Sequence, residues 1–216
     1  MQTDIHYTEV KDQENAVKRI IAEVHGKSEG PTLVFFGGIH GNEKAGVYAL
    51  KDALKNIHPK QLKGSIYAIS GNLKALERDL RYIDVDLNRL WTADNIAAIK
   101  NKAILNHEEN ELLKLLSLLE EILNTNSGPF YFFDLHTTSS KTLPFITIND
   151  ALINRKFSRL FPVPIVLGIE EYLNGPLLSY INTLGYVSLG FESGQHVDVQ
   201  SVENNIAFIN LVMHYT

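Results

Sequence analysis

Two short, very apolar runs constrain the fold of this chain more than any other feature. Residues 31–38 read PTLVFFGG, and residues 128–136 read GPFYFFDLH. Both runs are rich in β-branched and aromatic side chains and stop at glycine or at a polar residue, which is typical of buried strands. The second run is the more apolar of the two, so we predict that it is a central strand of the sheet.

The order of the neighbouring elements indicates parallel pairing. A predicted strand over 31–38 is followed by a helix over 46–57 and a strand over 64–70, and such a crossover is long enough to join parallel strands. Residues 71–91 are polar and are predicted to form a loop with a short helical turn. Further strands are predicted over 19–26, 142–148 (for which an antiparallel direction is considered), 164–168 and 185–192, and helices over 107–123, 149–161 (capped by Asn149) and 195–215.

The elements together predict an α/β fold with a mixed, mainly parallel twisted sheet and helices on both faces. No internal repeat or flexible linker interrupts the sequence, so residues 1–216 are expected to form a single domain. In such sheets, ligands bind beyond the carboxyl ends of the strands. His40, His136 and Glu192 each follow an apolar strand and precede a loop, so a site is expected where these residues meet.

The composition excludes several classes of function. The chain contains no cysteine, so a metal site would have to use His, Asp or Glu. A formal charge of −5, from 20 basic and 25 acidic residues, argues against nucleic acid as a partner. No run of 18 apolar residues and no apolar signal core are present, so we expect no membrane partner and a cytoplasmic location. The oligomeric state is not predicted.

The motif GGIHGNEKAG, residues 37–46, is the first candidate for a metal site. His40 and Glu43 follow the predicted strand directly, and side chains three positions apart on a tight turn project the same way. The competing interpretation is a polar turn, because His and Glu fall three residues apart by chance in many chains. A second such pair, His6 and Glu9, is interpreted as ordinary surface polarity.

The motif DLHTT supplies a candidate third ligand. His136 ends the most apolar strand, and two histidines with one glutamate form a known ligand set for catalytic zinc. Asp134 lies two residues earlier on the same side of the strand, where a carboxylate can orient a ligating imidazole. The alternatives are a strand-end histidine bonded to the main chain and an aspartate that caps the turn after it.

Four motifs, GGIHGNEKAG, RYIDVDLNR, DLHTT and GFESG, occur in this order. Together they resemble the succinylglutamate desuccinylase/aspartoacylase family of zinc carboxypeptidase-like hydrolases over roughly residues 30–215. The resemblance implies a zinc carboxypeptidase-like fold, one zinc ion and hydrolysis of the amide of a small, anionic N-acyl amino acid. It further implies that Glu192 is the general acid/base, that Arg81 polarises the scissile carbonyl, and that Asn88 and Arg89 bind the substrate carboxylate.

Alternatives remain for the residues of the loop over 81–89. Asp84 and Asp86 lie among the two arginines, so Arg81 and Arg89 are also compatible with a surface salt-bridge cluster. Glu192 is also compatible with an exposed glutamate at a turn.

The sequence departs from the family pattern in two places. Aspartoacylases use a further arginine upstream of the catalytic glutamate, whereas residues 175–192 contain none, and Asn182 stands near the expected position. The sequence as given ends directly after the last predicted helix, so we expect no counterpart within it of the β-rich C-terminal region of other members. Two rival functions therefore stay open: a zinc carboxypeptidase that acts on peptide C-termini, and a catalytically silent metal-binding domain.

Overall fold

The computed structural model describes residues 17–216 of the chain, and the His6 and Glu9 pair lies outside them. No helix in the described part is long and apolar enough to cross a membrane. The strands are β1 Ile20–His25, β2 Ser28–Gly37, β3 Lys63–Ser70, β4 Phe130–Thr138, β5 Phe145–Ile148, β6 Ile165–Leu167 and β7 Val187–Gln195. The helices are α1 Ala45–Leu54, α2 Leu73–Arg78, α3 Ala93–Lys100, α4 His107–Thr125, α5 Leu152–Ser158, α6 Leu177–Thr183 and α7 Val199–Tyr215, with short 3-10 turns at Leu87–Arg89 and Ile169–Tyr172.

The seven strands form one mixed sheet in the order β1-β3-β2-β4-β7-β5-β6. The central strands β3, β2, β4 and β7 are parallel to one another. Strand β1 is antiparallel to β3, and β5 is antiparallel to β7. The predictions of a mixed, mainly parallel sheet and of a central β4 are therefore confirmed, and so is the antiparallel direction of β5.

Alternate side chains of β2 and β4 enter two separate apolar cores. Phe35 and Phe133 pack on one face of the sheet, together with residues of α1 and α7. Phe36 and Phe132 pack on the other face, together with the leucines of α4. All four phenylalanines are at most 1 % exposed, and burying each ring stabilises the fold by about 1.5–3 kcal/mol. The helices on both faces follow from these doubly buried strands.

The structure differs from the predicted elements mainly where helices are short. Helices α3 and α6 have eight and seven residues, too few to show a clear apolar period in the sequence, and we did not predict them. The predicted Asn149 cap of α5 is wrong, because the helix begins at Leu152 and makes no side-chain cap hydrogen bond. The amide of Asn149 instead lies 3.1 Å from Ser179 Oγ of α6. Tertiary contact has outweighed local capping preference here.

Candidate metal centre and active site

The predicted site residues gather at the carboxyl ends of three neighbouring strands. His40 and Glu43 lie in the turn that joins β2 to α1, His136 lies near the end of β4, and Glu192 lies near the end of β7. Because β2 pairs with β4 and β4 pairs with β7, these strand ends are adjacent. Residues up to 152 positions apart in sequence therefore meet at one edge of the sheet.

The turn after β2 depends on a glycine at position 41. A Cβ at Gly41 would lie 2.0 Å from the main-chain carbon of Ala75, so any other residue would push this turn away from α2. The backbone N–H of Gly41 donates to the carbonyl of Arg81 at 3.2 Å, and the N–H of Glu43 donates to the carbonyl of His40 at 3.1 Å. The turn is thus packed tightly against α2 and against the main chain at Arg81, and this packing fixes the direction of His40.

Glu43 joins the two histidines. Its Oε1 lies 2.9 Å from Nδ1 of His40, and its Oε2 lies 3.0 Å from Nδ1 of His136. Oε2 also accepts a hydrogen bond of 2.8 Å from the backbone N–H of Thr137. One candidate ligand atom from each of His40, Glu43 and His136 can be chosen so that all three lie within 4.8 Å of one another. This spacing allows the three side chains to share a single cation.

The second nitrogen of each imidazole faces a different carboxylate. Nε2 of His40 lies 3.0 Å from Oδ1 of Asp86, and Nε2 of His136 lies 2.7 Å from Oδ2 of Asp134. Histidines that bind metals commonly donate their other N–H to a carboxylate, which fixes the tautomer and leaves the first nitrogen free to ligate. The donor set is chemically suited to zinc, because two imidazoles and one glutamate form a known catalytic set.

The charges of this cluster shift the pKa of each member. Burial alone would raise the pKa of Glu43, but the charges and hydrogen bonds of His136 and His40 outweigh burial and hold it well below its usual range. Burial alone would lower the pKa of both imidazoles, but their carboxylate partners outweigh it and raise the pKa of His40 and of His136. A cation at this position would replace the imidazole protons.

Asp134 is not a turn cap. It lies within β4, is fully buried and contacts His136, so the alternative interpretation of this residue is wrong. Its other oxygen, Oδ1, is buried and has no hydrogen-bond partner among the described residues. The contact that Asp134 does make, through Oδ2, places its carboxylate where it can orient the imidazole of His136.

Arg81 lies at the rim of the cluster. Its side chain is 43 % exposed, with Nη1 3.4 Å from Oε1 of Glu43 and Nη2 donating to Oδ2 of Asp86 at 3.1 Å. The expected pairing of Asp86 with an arginine is therefore present. Asp84 has a different role, because its Oδ2 accepts from the backbone N–H of His107 at 2.9 Å, at the start of α4.

The loop that carries Arg81 and Asp86 is held by a buried glutamate of α4. The carboxylate of Glu108, which is fully buried, accepts hydrogen bonds of 2.7–3.2 Å from the backbone N–H groups of residues 83–85. The same carboxylate also accepts a hydrogen bond of 2.8 Å from the side-chain amide of Asn72. Acidic residues in the first turn of a helix complement the helix dipole, and Glu108, in the first turn of α4, in addition holds this loop.

Asn88 and Arg89 lie in the 3-10 turn that follows the loop. Asn88 is buried, and its Oδ1 accepts 2.8 Å from the backbone N–H of Leu177 at the first turn of α6. Nη1 of Arg89 donates 2.7 Å to the carbonyl of Asn88. The amide oxygen of Asn88 is therefore engaged by the fold, and its Nδ2 is the group that remains for a ligand.

Glu192 is placed by strand register. It pairs with His136 of β4 on one side and with Phe145 of β5 on the other. Residues paired across a sheet project from the same face, and neighbouring strands are about 4.8 Å apart. The half-buried side chain of Glu192 therefore projects beside that of His136, on the face that carries the candidate metal centre.

Asn182 does not lie at this site. It lies in the last turn of α6, and its Nδ2 donates a hydrogen bond of 3.1 Å to the carbonyl of Tyr186, just before β7 begins at Val187. From Val187 to Glu192 the strand advances about 16 Å at roughly 3.3 Å a residue. Asn182, which stands near the expected arginine position in the sequence, thus lies towards the opposite end of the sheet from the candidate metal centre.

Together, the mixed sheet and the cluster at its edge define an α/β domain with a candidate metal centre of two histidines and one glutamate. Residues 29–207 match the model of the succinylglutamate desuccinylase/aspartoacylase catalytic domain. The match covers most of the chain, so the chain belongs to this family, as the four motifs predicted.

Individual relatives are similar over part of their length. Aspartoacylase of Danio rerio is 31% identical over 113 residues, which cover 52% of this chain and 35% of the relative. Succinylglutamate desuccinylase of Shewanella pealeana is 30% identical over 146 residues, covering 65% of this chain and 41% of the relative. The chain thus spans between about a third and two fifths of the curated relatives it matches.

Solved structures confirm the fold. The succinylglutamate desuccinylase/aspartoacylase of Rhodobacter sphaeroides has a TM-score of 0.70 at 23% identity, covering 89% of this chain and 57% of that one. The succinylglutamate desuccinylase of Chromobacterium violaceum has a TM-score of 0.70 at 17% identity, covering 88% of this chain and 63% of that one. At these identities the similarity concerns the fold alone.

Proposed function

We propose that this chain is a zinc-dependent hydrolase that cleaves the amide bond of a small N-acyl amino acid. The observation that carries the proposal is the convergence of His40, Glu43 and His136 within 4.8 Å of one another at the edge of the sheet. Membership of the desuccinylase/aspartoacylase family supports the reaction class. His40, Glu43 and His136 would hold one zinc ion, and Asp86 and Asp134 would orient the two imidazoles.

A zinc ion at this position would supply Lewis-acid chemistry, which lowers the pKa of water and polarises a carbonyl oxygen. Glu192 would act as the general base and then as the general acid. Its carboxylate accepts a proton from the attacking water and delivers that proton to the nitrogen of the leaving amine as the C–N bond breaks. The position of Glu192 beside His136 supports this role.

Arg81 would stabilise the negative charge that develops on the carbonyl oxygen of the substrate. Its guanidinium is exposed at the rim and contacts Glu43 and Asp86, so it already lies next to the proposed zinc ligands. If a cation were bound at Glu43, the carboxylate would attract the guanidinium of Arg81 less strongly. This weaker attraction would leave the guanidinium available to the substrate.

Arg89 would bind the substrate carboxylate, assisted by Nδ2 of Asn88. A guanidinium presents a planar pair of donors that matches a carboxylate in a bidentate arrangement. The contacts of Asn88 with Leu177 and of Arg89 with the Asn88 carbonyl fix the backbone that presents these donors. The substrate is therefore proposed to be a small anion.

We also propose that the described residues 17–216 form one domain, because both apolar cores lie against the same sheet. The proposal of a small-molecule substrate, rather than nucleic acid, rests on the formal charge of −5. A cytoplasmic location and the absence of a membrane partner stay predictions from composition.

A zinc carboxypeptidase is the second candidate function. Residues 175–192 contain no arginine, and Asn182 lies away from the site. The arginine with which aspartoacylases would bind a second substrate carboxylate therefore has no counterpart in this segment. Peptides that present a single C-terminal carboxylate would suit such a site. The third candidate, a silent metal-binding domain, differs from both enzymes in predicting metal binding without turnover.

One set of assays separates the three functions. Purified protein with one equivalent of zinc is incubated with a panel of N-acyl amino acids and with short peptides, and free amine is measured. The proposal expects release of amine from N-acyl amino acids and its loss in Glu192→Gln. Hydrolysis confined to peptides would identify a carboxypeptidase, and zinc binding without any turnover would identify a silent domain.

A further inference from the structure

A chain of buried polar groups follows Glu192 at the end of β7. The hydroxyl of Ser193 donates 3.1 Å to the carbonyl of His136, and it accepts 2.8 Å from Nδ2 of Asn205 in α7. Ser193 and Asn205 are both fully buried. A helix on one face of the sheet is thus linked by two hydrogen bonds to the main chain of a proposed zinc ligand.

These contacts occur at an irregularity of the sheet. His136 pairs with Glu192 and Thr138 pairs with Gln195, so β7 contains one residue more than β4 between the two pairs. Bulges of this kind redirect side chains and are common beside active sites. Gly194, within the bulge, has φ of +119° and lies against Ser201, so a side chain there would be strained.

Side chains of helix α7 form hydrogen bonds to the main chain of the bulge. Nδ2 of Asn204 donates 2.9 Å to the carbonyl of Ser193, and the hydroxyl of Ser201 donates 2.7 Å to the carbonyl of Gln195. Beside the bulge, the hydroxyl of Thr137 lies 2.7 Å from Nδ1 of His196. The segment after Glu192 is therefore restrained by side chains that lie outside the proposed zinc ligands.

The orientation of Asn205 is fixed by its partners. Nδ2 also donates 3.0 Å to the carbonyl of Ser201, and a carbonyl can only accept, so the amide nitrogen must face this way. As a result Oδ1 of Asn205 is buried without a hydrogen-bond partner among residues 17–216. A buried acceptor without a hydrogen bond is unfavourable. Asn205 nevertheless adopts the orientation in which its amide nitrogen donates to Ser193.

We infer that Ser193 and Asn205 are positioning residues that fix the carboxylate of Glu192 relative to His136. Ser193 contacts α7, whose apolar residues share a core with Phe133 and Leu135. The side chains of His136 and Glu192 project from the other face, so Ser193 acts through the backbone rather than on the substrate. The inference rests on the proposed function, because Glu192 needs a fixed position only when it transfers protons beside the metal.

Ser193→Ala tests this role, with Ser188→Ala as a matched control. Ser188 is a buried serine of the same strand, and its hydroxyl donates 3.1 Å to the carbonyl of Leu178 in α6 rather than to the main chain of a proposed zinc ligand. Both variants lose one buried hydroxyl that donates to a carbonyl, so we expect similar losses of thermal stability. Ser193→Ala alone should lower kcat about tenfold with KM nearly unchanged, because misplacement of a reacting group acts mainly on the chemical step.

A second measurement does not depend on turnover. The zinc dissociation constant, measured by competition with a chelator, should rise about tenfold in Ser193→Ala and stay at the wild-type value in Ser188→Ala. Ser193→Cys keeps a weak donor of similar size and should fall between wild type and Ser193→Ala. A loss of kcat or of zinc affinity that is confined to the Ser193 variants supports the inference.

The outcomes separate this inference from the proposed function. If wild type hydrolyses N-acyl amino acids and Ser193→Ala matches Ser188→Ala in both kcat and zinc affinity, the positioning role is wrong while the proposed function stands. If wild type neither binds zinc nor hydrolyses any amide, both proposals are wrong.

Discussion

Oε2 of Glu43 lies 3.0 Å from Nδ1 of His136, 93 residues further along the chain. The same carboxylate reaches His40 through its other oxygen at 2.9 Å. Glu43 is 2 % exposed, and a buried carboxylate is stable as an anion only where positive charge or several donors surround it. The sheet brings two imidazoles to this carboxylate, and a divalent cation would meet the same requirement.

Substitution of His40 by alanine should abolish tight zinc binding. One of three proposed protein ligands is lost, so we expect the zinc affinity to fall by at least about 100-fold. The control is His25→Ala. His25 also lies close to a carboxylate, 2.8 Å from Oε1 of Glu23, but on β1 and more than half exposed. Chelator competition should show wild-type affinity for His25→Ala, and equal losses in both variants would contradict the assignment of His40.

Substitution of Glu192 by glutamine should separate metal binding from catalysis. The amide keeps the size of the side chain but cannot accept the proton of water, so kcat should fall about 10²-fold or more. Zinc stoichiometry should stay at the wild-type value, since Glu192 is not a proposed ligand. Steady-state kinetics and elemental analysis of the same preparation test both statements. Retention of wild-type kcat would exclude Glu192 as the general acid/base.

Zinc binding should release protons and weaken as the pH falls. In the metal-free fold the pKa of both His40 and His136 is raised above the ordinary value of 6.5, so at that pH more than half of each imidazole is in the charged, doubly protonated form. Glu43 stays ionised because its pKa is lowered. We therefore expect more than one proton to be released for each zinc bound near pH 6.5. Calorimetry in buffers of different ionisation enthalpy measures this number, and a value near zero would contradict the proposed ligands.

Glu108→Gln should loosen the loop that carries Arg81 and Asp86. Burial opposes ionisation of Glu108, but the backbone N–H groups of residues 83–85 and the Asn72 amide lower its pKa below 4.5. The carboxylate therefore stabilises the fold above pH 4.5, and this contribution is lost as the pH falls through the lowered pKa. At pH 7 we expect Glu108→Gln to reduce the free energy of unfolding by about 1–3 kcal/mol.

Urea unfolding at pH 7 and at pH 3.5 tests the role of Glu108. The difference between wild type and Glu108→Gln should shrink at the lower pH. Glu120→Gln is the control on the same helix, because Glu120 is exposed and its nearest cation, Lys100, is 3.8 Å away. A stability loss in Glu120→Gln as large as that in Glu108→Gln would contradict the account.

The sequence predicted the central sheet and the meeting of His40, Glu43 and His136, because each strand and each candidate residue is marked by a local pattern. Apolar strands that end in a histidine or a glutamate identified His40, His136 and Glu192, and parallel topology brought those ends together. The alternation along β4 also placed Asp134 on the side of His136. These inferences need only the strand period and the rule that ligands bind at carboxyl ends.

Contacts that depend on long-range packing were not predicted. Asp86 was expected to pair with an arginine and does, but its contact with His40 spans 46 residues and leaves no periodic signal. The support of the loop by Glu108 depends on how α4 docks. Asn182 stands near the expected arginine position in the sequence, but most of an extended strand separates it from Glu192, so nearness in sequence does not bring it to the site.

Anomalous diffraction from crystals grown with one equivalent of zinc tests the central claim most directly. The account predicts one strong peak at the zinc edge, within about 2.0–2.2 Å of Nδ1 of His40, Nδ1 of His136 and a carboxylate oxygen of Glu43. A protein that takes up zinc elsewhere, or that shows no peak between these three side chains, would contradict the proposed metal centre and the hydrolase mechanism built on it.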